Sequence, residues 1–286
     1  MGRRVGIIGH PVAHSLSPVF QQAALDEAGL DITYELWDTP GDELADRVSS
    51  LRSEETLGAN VTIPHKEAVV PLLDELDELA ARIGAVNTIV NRGGVLHGYN
   101  TDGRGFLAAL KAGLDYDPQG ENVLLLGAGG AARGIAFAMA EAGTKTLAIW
   151  NRTATRAEKL AADVAATGPS VGAEADLKAL ARYDCIVNCT SVGMDGTGTE
   201  SESPCDISSA RNDAIAVDIV YKPAETRFLR GARARGMRTL PGLPMLIHQG
   251  ALAFEHWTGR TAPLEIMTKA AEEALAAEAA GSGAAS

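Results

Sequence analysis

Apolar and polar positions follow two rhythms along this chain, and the switches between them lay out its elements. "RRVGIIG" predicts a buried strand, and "SPVFQQAALDEAGL" predicts an amphipathic helix closed by Gly29. "ITYELWD" alternates as a strand does, "DELADRVSSLRS" returns to helical spacing, and "GANVTIP" is a strand stopped by Pro64. "HKEAVVPLLDEL" and "DELAARIG" predict two helices with a break at Pro71, which has no N–H to donate. "AVNTIVN" and "VLHGYN" predict a hairpin turning at Arg92-Gly93-Gly94. Residues 1–102 therefore form an α/β domain with a mixed sheet.

"GRGFLAALKAGL" predicts a helix that leads into a second unit. There, "NVLLLGAGGAARGIAFAMAEAG" reads as strand, glycine turn and helix, and "TLAIWNRT" as the next strand. "RAEKLAADVAA" is helical, "YDCIVNCTS" and "DAIAVDIVY" are strands, and "RFLRGARARG" is a helix before "RTLPG". That alternation over residues 103–242 is the signature of a doubly wound parallel sheet, a Rossmann domain. Residues 243–272 are helical again with no further strand to serve, so they are expected to pack back on the first domain. The small-residue run over residues 273–286 is expected to be a flexible, fraying tail.

A length of 286 residues accommodates two modest domains, and 46% hydrophobic with 22% charged residues supplies an ordinary globular core. The formal charge of −12 argues against a nucleic acid or an anionic membrane as partner, since either needs a basic face. Three cysteines are too few for a disulfide framework, and Cys185 and Cys189 fall in a strand pattern, so they read as core thiols in a reducing compartment. No run approaches the ~18 apolar residues of a membrane span. A cytoplasmic protein is expected, with no metal and with a homodimer left open.

The glycine run carries the first candidate chemistry. Gly127, Ala128, Gly129, Gly130, Ala131 and Ala132 fit G-x-G-x-x-A, directly after a strand and opening a helix. Gly127 suits the tight turn, Gly129 lets a pyrophosphate approach the backbone, and helix N–H groups hold phosphate. At the end of the next strand a carboxylate would take a ribose 2′-hydroxyl; here the chain reads Asn151, Arg152, Thr153 and then Arg156. No carboxylate repels a 2′-phosphate and guanidiniums are at hand, which favours NADP over NAD.

Lys66 follows "NVTIPH" and is expected in the first turn of a helix, where the macrodipole disfavours a cation. It is either a solvated surface group or a lysine suited to proton transfer at an alcohol or carbonyl. Asp102 in "GYNTDG" is either an N-cap or that lysine's partner. The two converge if "ANVTIP" and "HGYN" end on the same edge. Ser17 and Pro18 read as N-cap and first residue of a helix, and Ser15 with Ser17 as an anion pocket there.

"GHPVAHSLSP", "NVTIPHK", "GAVNT", "NTDG", "GAGGAAR", "NRT", "NCTSVGM", "DIVY" and "GLPMLIHQGALAFEHW" together, in this order, resemble the shikimate dehydrogenase family from about residue 5 to residue 260. The resemblance implies reversible reduction of 3-dehydroshikimate to shikimate with NADPH, in a substrate domain, a Rossmann domain and a returning C-terminal helix. It makes Lys66 the general acid–base and Asp102 its partner, with Ser15 and Ser17 as carboxylate-binding serines. It further assigns Thr62, Asn87, Tyr221 and Gln249 to the ring hydroxyls. Gly127 to Ala131 match the phosphate turn, Asn151 to Arg156 the 2′-phosphate site, and Glu78, Ile219 and Gly242 the nicotinamide end. Gln21-Gln22 depart from a common His-Asn pair and are expected behind the pocket, and the "DGTGTESESPCD" loop is expected to be mobile.

Rival readings remain. A quinate/shikimate enzyme with relaxed substrate or NAD use must make room for an extra hydroxyl beside the carboxylate, and the unaltered serine pair leans towards shikimate. A non-catalytic NADP sensor would have lost Lys66 or Asp102. A methylene-tetrahydrofolate-type dehydrogenase would need other motifs around the lysine.

Overall fold

Val5 and Ile8 are fully buried and Ile7 nearly so, which leaves strand β1 (Arg3–Gly9) no solvent face and places it inside a sheet. In the computed structural model, which describes residues 2–166 and 170–283, β1 pairs in parallel with β2 (Ile32–Asp38) and β3 (Thr56–Val61). Helices α1 (Ser17–Glu27) and α2 (Leu44–Ser50) connect these strands. After β3 come β4 (Glu75–Leu76), α3 (Glu78–Ile83), β5 (Thr88–Arg92) and β6 (Val95–Tyr99). The six-stranded order is β2-β1-β3-β5-β6-β4. Because β5 is antiparallel to both β3 and β6, strands β1, β3 and β6 run the same way. Their carboxyl ends, and the start of β5, leave the sheet at one edge.

The expected helix over "HKEAVVPLLDEL" does not form. Residues 65–69 make a single turn, closed by Val69 N donating to His65 O at 2.9 Å. A short 3-10 turn (Val70–Leu72) and then β4 follow. Pro71 cannot continue an α-helical ladder, and β4 pairs with β6, so sheet pairing takes residues that periodicity assigned to a helix.

The second unit opens with α4 (Asp102–Leu114), whose Gly103 lies so close to Gly134 that a side chain there would meet its carbonyl oxygen. It continues through β7 (Asn122–Leu126), α5 (Gly130–Glu141), β8 (Thr146–Trp150), α6 (Ala154–Ala165) and β9 (Ser170–Ala173). Next come β10 (Cys185–Asn188), β11 (Ile215–Asp218), α7 (Arg227–Ala234) and β12 (Arg238–Leu240). All six strands are parallel in the order β12-β11-β10-β7-β8-β9. The chain winds outward from β7 through β8 to β9, then returns to β10 on the other side. That reversal marks the β7–β10 boundary as the switch point of a Rossmann sheet. Leu124, Leu126, Ile186, Ala216, Phe228 and Leu229 are among the residues of its core.

Helix α8 (Leu243–Thr258) and helix α9 (Leu264–Gly283) close the chain. By contacts, residues 1–101 and 247–286 form one unit and residues 102–246 the other, so the division falls one residue before Asp102. Within the first unit α9 packs on α1, and Trp257 of α8 donates its Nε1 hydrogen to Ile89 O at 2.9 Å. Residues 273–283, expected to fray, continue α9, since their alanines and glutamates are strong helix formers. Residues 284–286 of that expected tail lie outside the described residues. No helix among the described residues is long and apolar enough to cross a membrane.

Candidate active site

The shared edge of the first sheet gathers four short segments. Ser15 and Ser17 follow β1, Thr62 and Lys66 follow β3, Asn87 precedes β5, and Asp102 comes three positions after β6 ends. The condition for convergence drawn from the sequence, that β3 and β6 end on one edge, is met by the topology of this sheet.

Ser17 is the first residue of α1 and Pro18 the second; Leu16 occupies the cap and contributes no side-chain bond. This corrects the expectation of Ser17 as N-cap. The capping oxygen comes instead from Ser15, whose Oγ accepts from Ser17 N at 3.2 Å. Ser15 thus has a structural duty that spacing alone did not reveal. The buried Ser17 side chain meets the phenol of Tyr34, which burial pushes far above its usual range.

From Tyr34 a buried polar network runs across the sheet. Tyr34 donates to Asn60 Oδ1 at 2.7 Å, and Asn60 Nδ2 donates to Asn87 O at 3.2 Å. Asn87 Oδ1 accepts from Thr101 N at 2.8 Å and from the Thr88 hydroxyl at 3.1 Å. Asn87 Nδ2 donates to Gln249 Oε1 at 3.1 Å, joining residues 162 positions apart. Thr101 Oγ1 donates to Gln249 O at 3.0 Å. The structure therefore brings Ser17, Asn87 and Gln249 into one connected set. Tyr34, Asn60, Thr88 and Thr101 belong to it and were missed from sequence. Their one signal was a polar residue on an otherwise buried strand, as Asn60 is in "GANVTIP".

Gln21, one turn along α1 from Ser17, is fully buried and donates through Nε2 to Gly250 O at 2.9 Å. Gln22 fastens α1 to β2 by accepting from Tyr34 N at 2.8 Å. Both lie behind the network. Asn87→Ala would leave the Thr101 N–H without its acceptor in a buried setting, so a loss of about 1–3 kcal/mol in urea unfolding is expected.

Lys66 lies in a turn rather than in a helix, so the dipole argument for it lapses. The turn itself is well pinned. Thr62 N donates to Ile8 O at 2.8 Å, His65 N to Thr62 O at 2.9 Å, and Val86 N to Lys66 O at 2.8 Å. The buried His65 ring bonds to Thr39 O at 2.6 Å through Nε2, which fixes that nitrogen as the protonated one. The Thr62 methyl fills the space in front of Gly9, where any side chain would collide with it.

In the second unit, Asp102 is the first residue of α4 and is buried, in the turn where the helix dipole favours an anion. Gly127 directly follows β7 with φ +117, a conformation that favours glycine, and a Cβ there would lie 3.0 Å from both the carbonyl carbon and oxygen of Cys189. The glycine turn thus sits against the segment after β10, at the sheet's switch point. Gly129 caps α5 with no side-chain bond, and a Cβ built on it meets nothing within 4 Å. Gly130 and Ala131 begin that helix, and Ala128 is buried behind the turn. No acidic residue occupies the helix's first turn, so its N–H groups and positive end suit a phosphate.

Asn151 follows β8 and ties back to Thr153 O at 2.9 Å through Nδ2, while Thr153 caps α6. Arg152 and Arg156 are exposed on either side of that cap. Ile219 and Gly242 touch: Gly242 N donates to Val220 O at 3.1 Å, and a side chain at 242 would strike Ile219 O. Tyr221 lies two residues beyond Ile219. Glu78 is exposed at the start of α3, in the first unit, whereas the other cofactor candidates belong to the second. The loop expected to be mobile is folded on itself. The Glu200 carboxylate is held below its usual range by backbone N–H groups, its own and that of Gly198 at 3.0 Å among them.

Three family models match the chain. "Shikimate dehydrogenase substrate binding domain" covers residues 7–89, "Shikimate / quinate 5-dehydrogenase" residues 108–221, and "Shikimate 5'-dehydrogenase C-terminal domain" residues 242–272. Shikimate dehydrogenase (NADP(+)) of Symbiobacterium thermophilum is 47% identical over 281 residues, which span 96% of this chain and 95% of that protein. Shikimate 5-dehydrogenase from Thermus thermophilus, solved with NADP(H) and shikimate, is 44% identical with a TM-score of 0.87, over 96% of this chain and 100% of that one. The ligand-free 5-ketofructose reductase of a Gluconobacter strain is 38% identical with a TM-score of 0.86, over 96% and 99%.

Proposed function

The chain belongs to the shikimate dehydrogenase family, and on that premise we propose that it reversibly reduces 3-dehydroshikimate to shikimate with NADPH. The observation that carries this reading is the buried network joining Ser17 to Gln249 along the edge from which the Lys66 turn also emerges. A small polyhydroxylated carboxylate suits that edge. Ser15 and Ser17 would take its carboxylate, and Thr62, Asn87, Tyr221 and Gln249 its ring hydroxyls.

NADP(H), when bound, supplies or accepts the hydride at the ring carbon that changes between ketone and alcohol. The glycine turn and the open first turn of α5 fit its pyrophosphate, and Arg152 and Arg156 its 2′-phosphate. Ile219 and Gly242 are assigned to the nicotinamide end, and Glu78 with less support because it lies in the other unit. In the reducing direction Lys66 gives a proton to the oxygen as it gains charge, and in the oxidising direction it takes that proton back. Asp102 orients the lysine and accepts a hydrogen bond from the alcohol. A cytoplasmic setting belongs to the same reading, supported by free Cys185, Cys189 and Cys205, and so does a homodimer, which sedimentation would test.

Arg152→Gln with Arg156→Gln is expected to lower kcat/KM for NADP+ by ~100-fold, since charge-assisted phosphate bonds contribute about 1.5–3 kcal/mol each, while NAD+ use changes little. The decisive experiment is a panel of shikimate, quinate and aminoshikimate, each with NADP+ and NAD+, followed by the absorbance of the reduced nicotinamide. Shikimate with NADP+ is expected to lead. Faster turnover of quinate, or no turnover of shikimate, would overturn the reading.

A further inference from the structure

We propose that Asp218 is a positioning residue of the cofactor site, one that holds in place the two segments following β10 and β11. The proposal rests on the cofactor reading above only for the identity of what those segments face. Asp218 ends β11 directly across from Asn188 on β10, and both are fully buried. One carboxylate oxygen accepts from Asn188 Nδ2 at 3.0 Å and from Val220 N at 2.9 Å; the other accepts from the Thr226 hydroxyl at 2.7 Å. Asn188 in turn accepts from Thr190 N at 3.0 Å and from the Thr190 hydroxyl at 2.6 Å, and donates to Val192 O at 3.2 Å.

This carboxylate therefore ties the segment after β10 to the segment after β11. Thr190 is one of the neighbours that a side chain at Gly127 would strike, and Val220 receives the Gly242 N–H. Thr226 also caps α7 through Leu229 N, so the same carboxylate anchors the start of that helix. These three partners are neutral donors, an arrangement that is expensive for a buried charge and that a packed apolar residue would avoid. Its merit is geometric, because an ionised carboxylate accepts from all three donors at once.

Burial pushes the Asp218 carboxyl up to about 6, and its bonds to Val220, Thr226 and Asn188 pull the other way. The folded value is thus raised above the reference of 3.8, so the protonated form stabilises the fold at acid pH and that contribution fades as pH rises from 3.8 through about 6. The titratable groups around it include the Cys189 thiol, which itself senses Cys185 and Asp102, and Tyr221 and Lys222 follow on its own segment. Protonation turns one oxygen into a donor and costs the carboxyl its acceptance from the Thr226 hydroxyl, so the local hold on α7 changes even though the neutral form is cheaper to bury.

The test is Asp218→Asn, which keeps the shape and removes the charge. NADPH binding is followed by fluorescence titration, and kcat and KM by shikimate oxidation, across pH 5.5–8.5. The expected result is a Kd for NADPH and a KM for NADP+ raised ~10-fold at pH 8, with KM for shikimate within ~2-fold of wild type. The 2′-phosphate itself titrates at about 6, so the difference between the wild-type and variant pH profiles is what reads Asp218. That difference should be largest at pH 8 and shrink towards pH 5.5, where most of the Asp218 carboxyl is protonated. Should Asp218→Asn not fold, Thr226→Val carries the test, since it removes the hydroxyl's bonds to both Asp218 and Leu229 N, and a ~3-fold rise in the NADPH Kd is expected. Wild-type binding with unchanged Kd and pH profile in the variant tested overturns this inference alone. A wild-type protein that binds no NADPH overturns the cofactor reading and this inference with it.

Discussion

Lys66→Ala is expected to lower kcat for shikimate oxidation by ~100-fold or more, with KM for shikimate and for NADP+ changed little. General acid–base catalysis by a positioned side chain contributes about 10²–10⁴-fold, and the amine acts mainly while charge is moving in the transition state, so its loss should fall on kcat. The backbone of its turn is held by Ile8 O, Thr62 O and Val86 N, and the His65 ring is anchored on Thr39 O; none of these bonds uses the Lys66 side chain. An alanine variant should therefore fold as the wild type does, and a thermal melt run beside the kinetics checks that. A variant with near-normal kcat would remove Lys66 from its role.

The glycine turn provides the second large effect, as a contrast between two substitutions. Gly127→Ala places a Cβ 3.0 Å from the Cys189 carbonyl on a backbone of φ +117. Strain at such a position costs about 1–3 kcal/mol and the collision adds to it, so both urea stability and NADPH binding should fall. Gly129→Ala meets nothing within 4 Å and sits at φ −89, so the protein itself should tolerate it. The new methyl would occupy the space needed by the pyrophosphate, so NADPH affinity should drop ~30-fold or more with stability unchanged. Equal stability losses in the two variants would show that the turn is structural at both glycines. Intact NADPH binding in Gly129→Ala would place the pyrophosphate elsewhere.

Several parts of this architecture were open to reading before any coordinates. The second unit's alternation over residues 122–240 was legible except for the short, mostly exposed β9, because parallel strands are nearly continuous apolar runs and their crossover helices are long and periodic. The glycine turn was legible because its chemistry is local: a strand, a residue needing φ above zero, and a helix start within a few positions.

The first unit was harder. Residues 65–76 carry helical spacing, yet β4 pairs with β6 and Pro71 interrupts the ladder, so long-range pairing prevails over a weak local preference. The expected cap oxygen at the start of α1 comes from Ser15 and not Ser17, since a side chain two residues further back can reach the first helical N–H. Asp218 was visible only as one residue in a strand motif; its three donors come from Asn188, Val220 and Thr226, two of them outside its immediate neighbours.

Amino-acid order alone determined the class of elements, the glycine turn with its arginines, and the motif set that places the chain in its family. Those properties depend on residues within a few positions of one another, where burial period and backbone preference are already expressed. Only the tertiary structure decided which strands neighbour which, and therefore that the segments after β1, β3 and β6 leave one edge. It alone joined Asn87 to Gln249 across 162 positions. Apolar periodicity records that a face is covered, whereas the partner covering it is chosen by packing and by the requirement that every buried polar group be bonded.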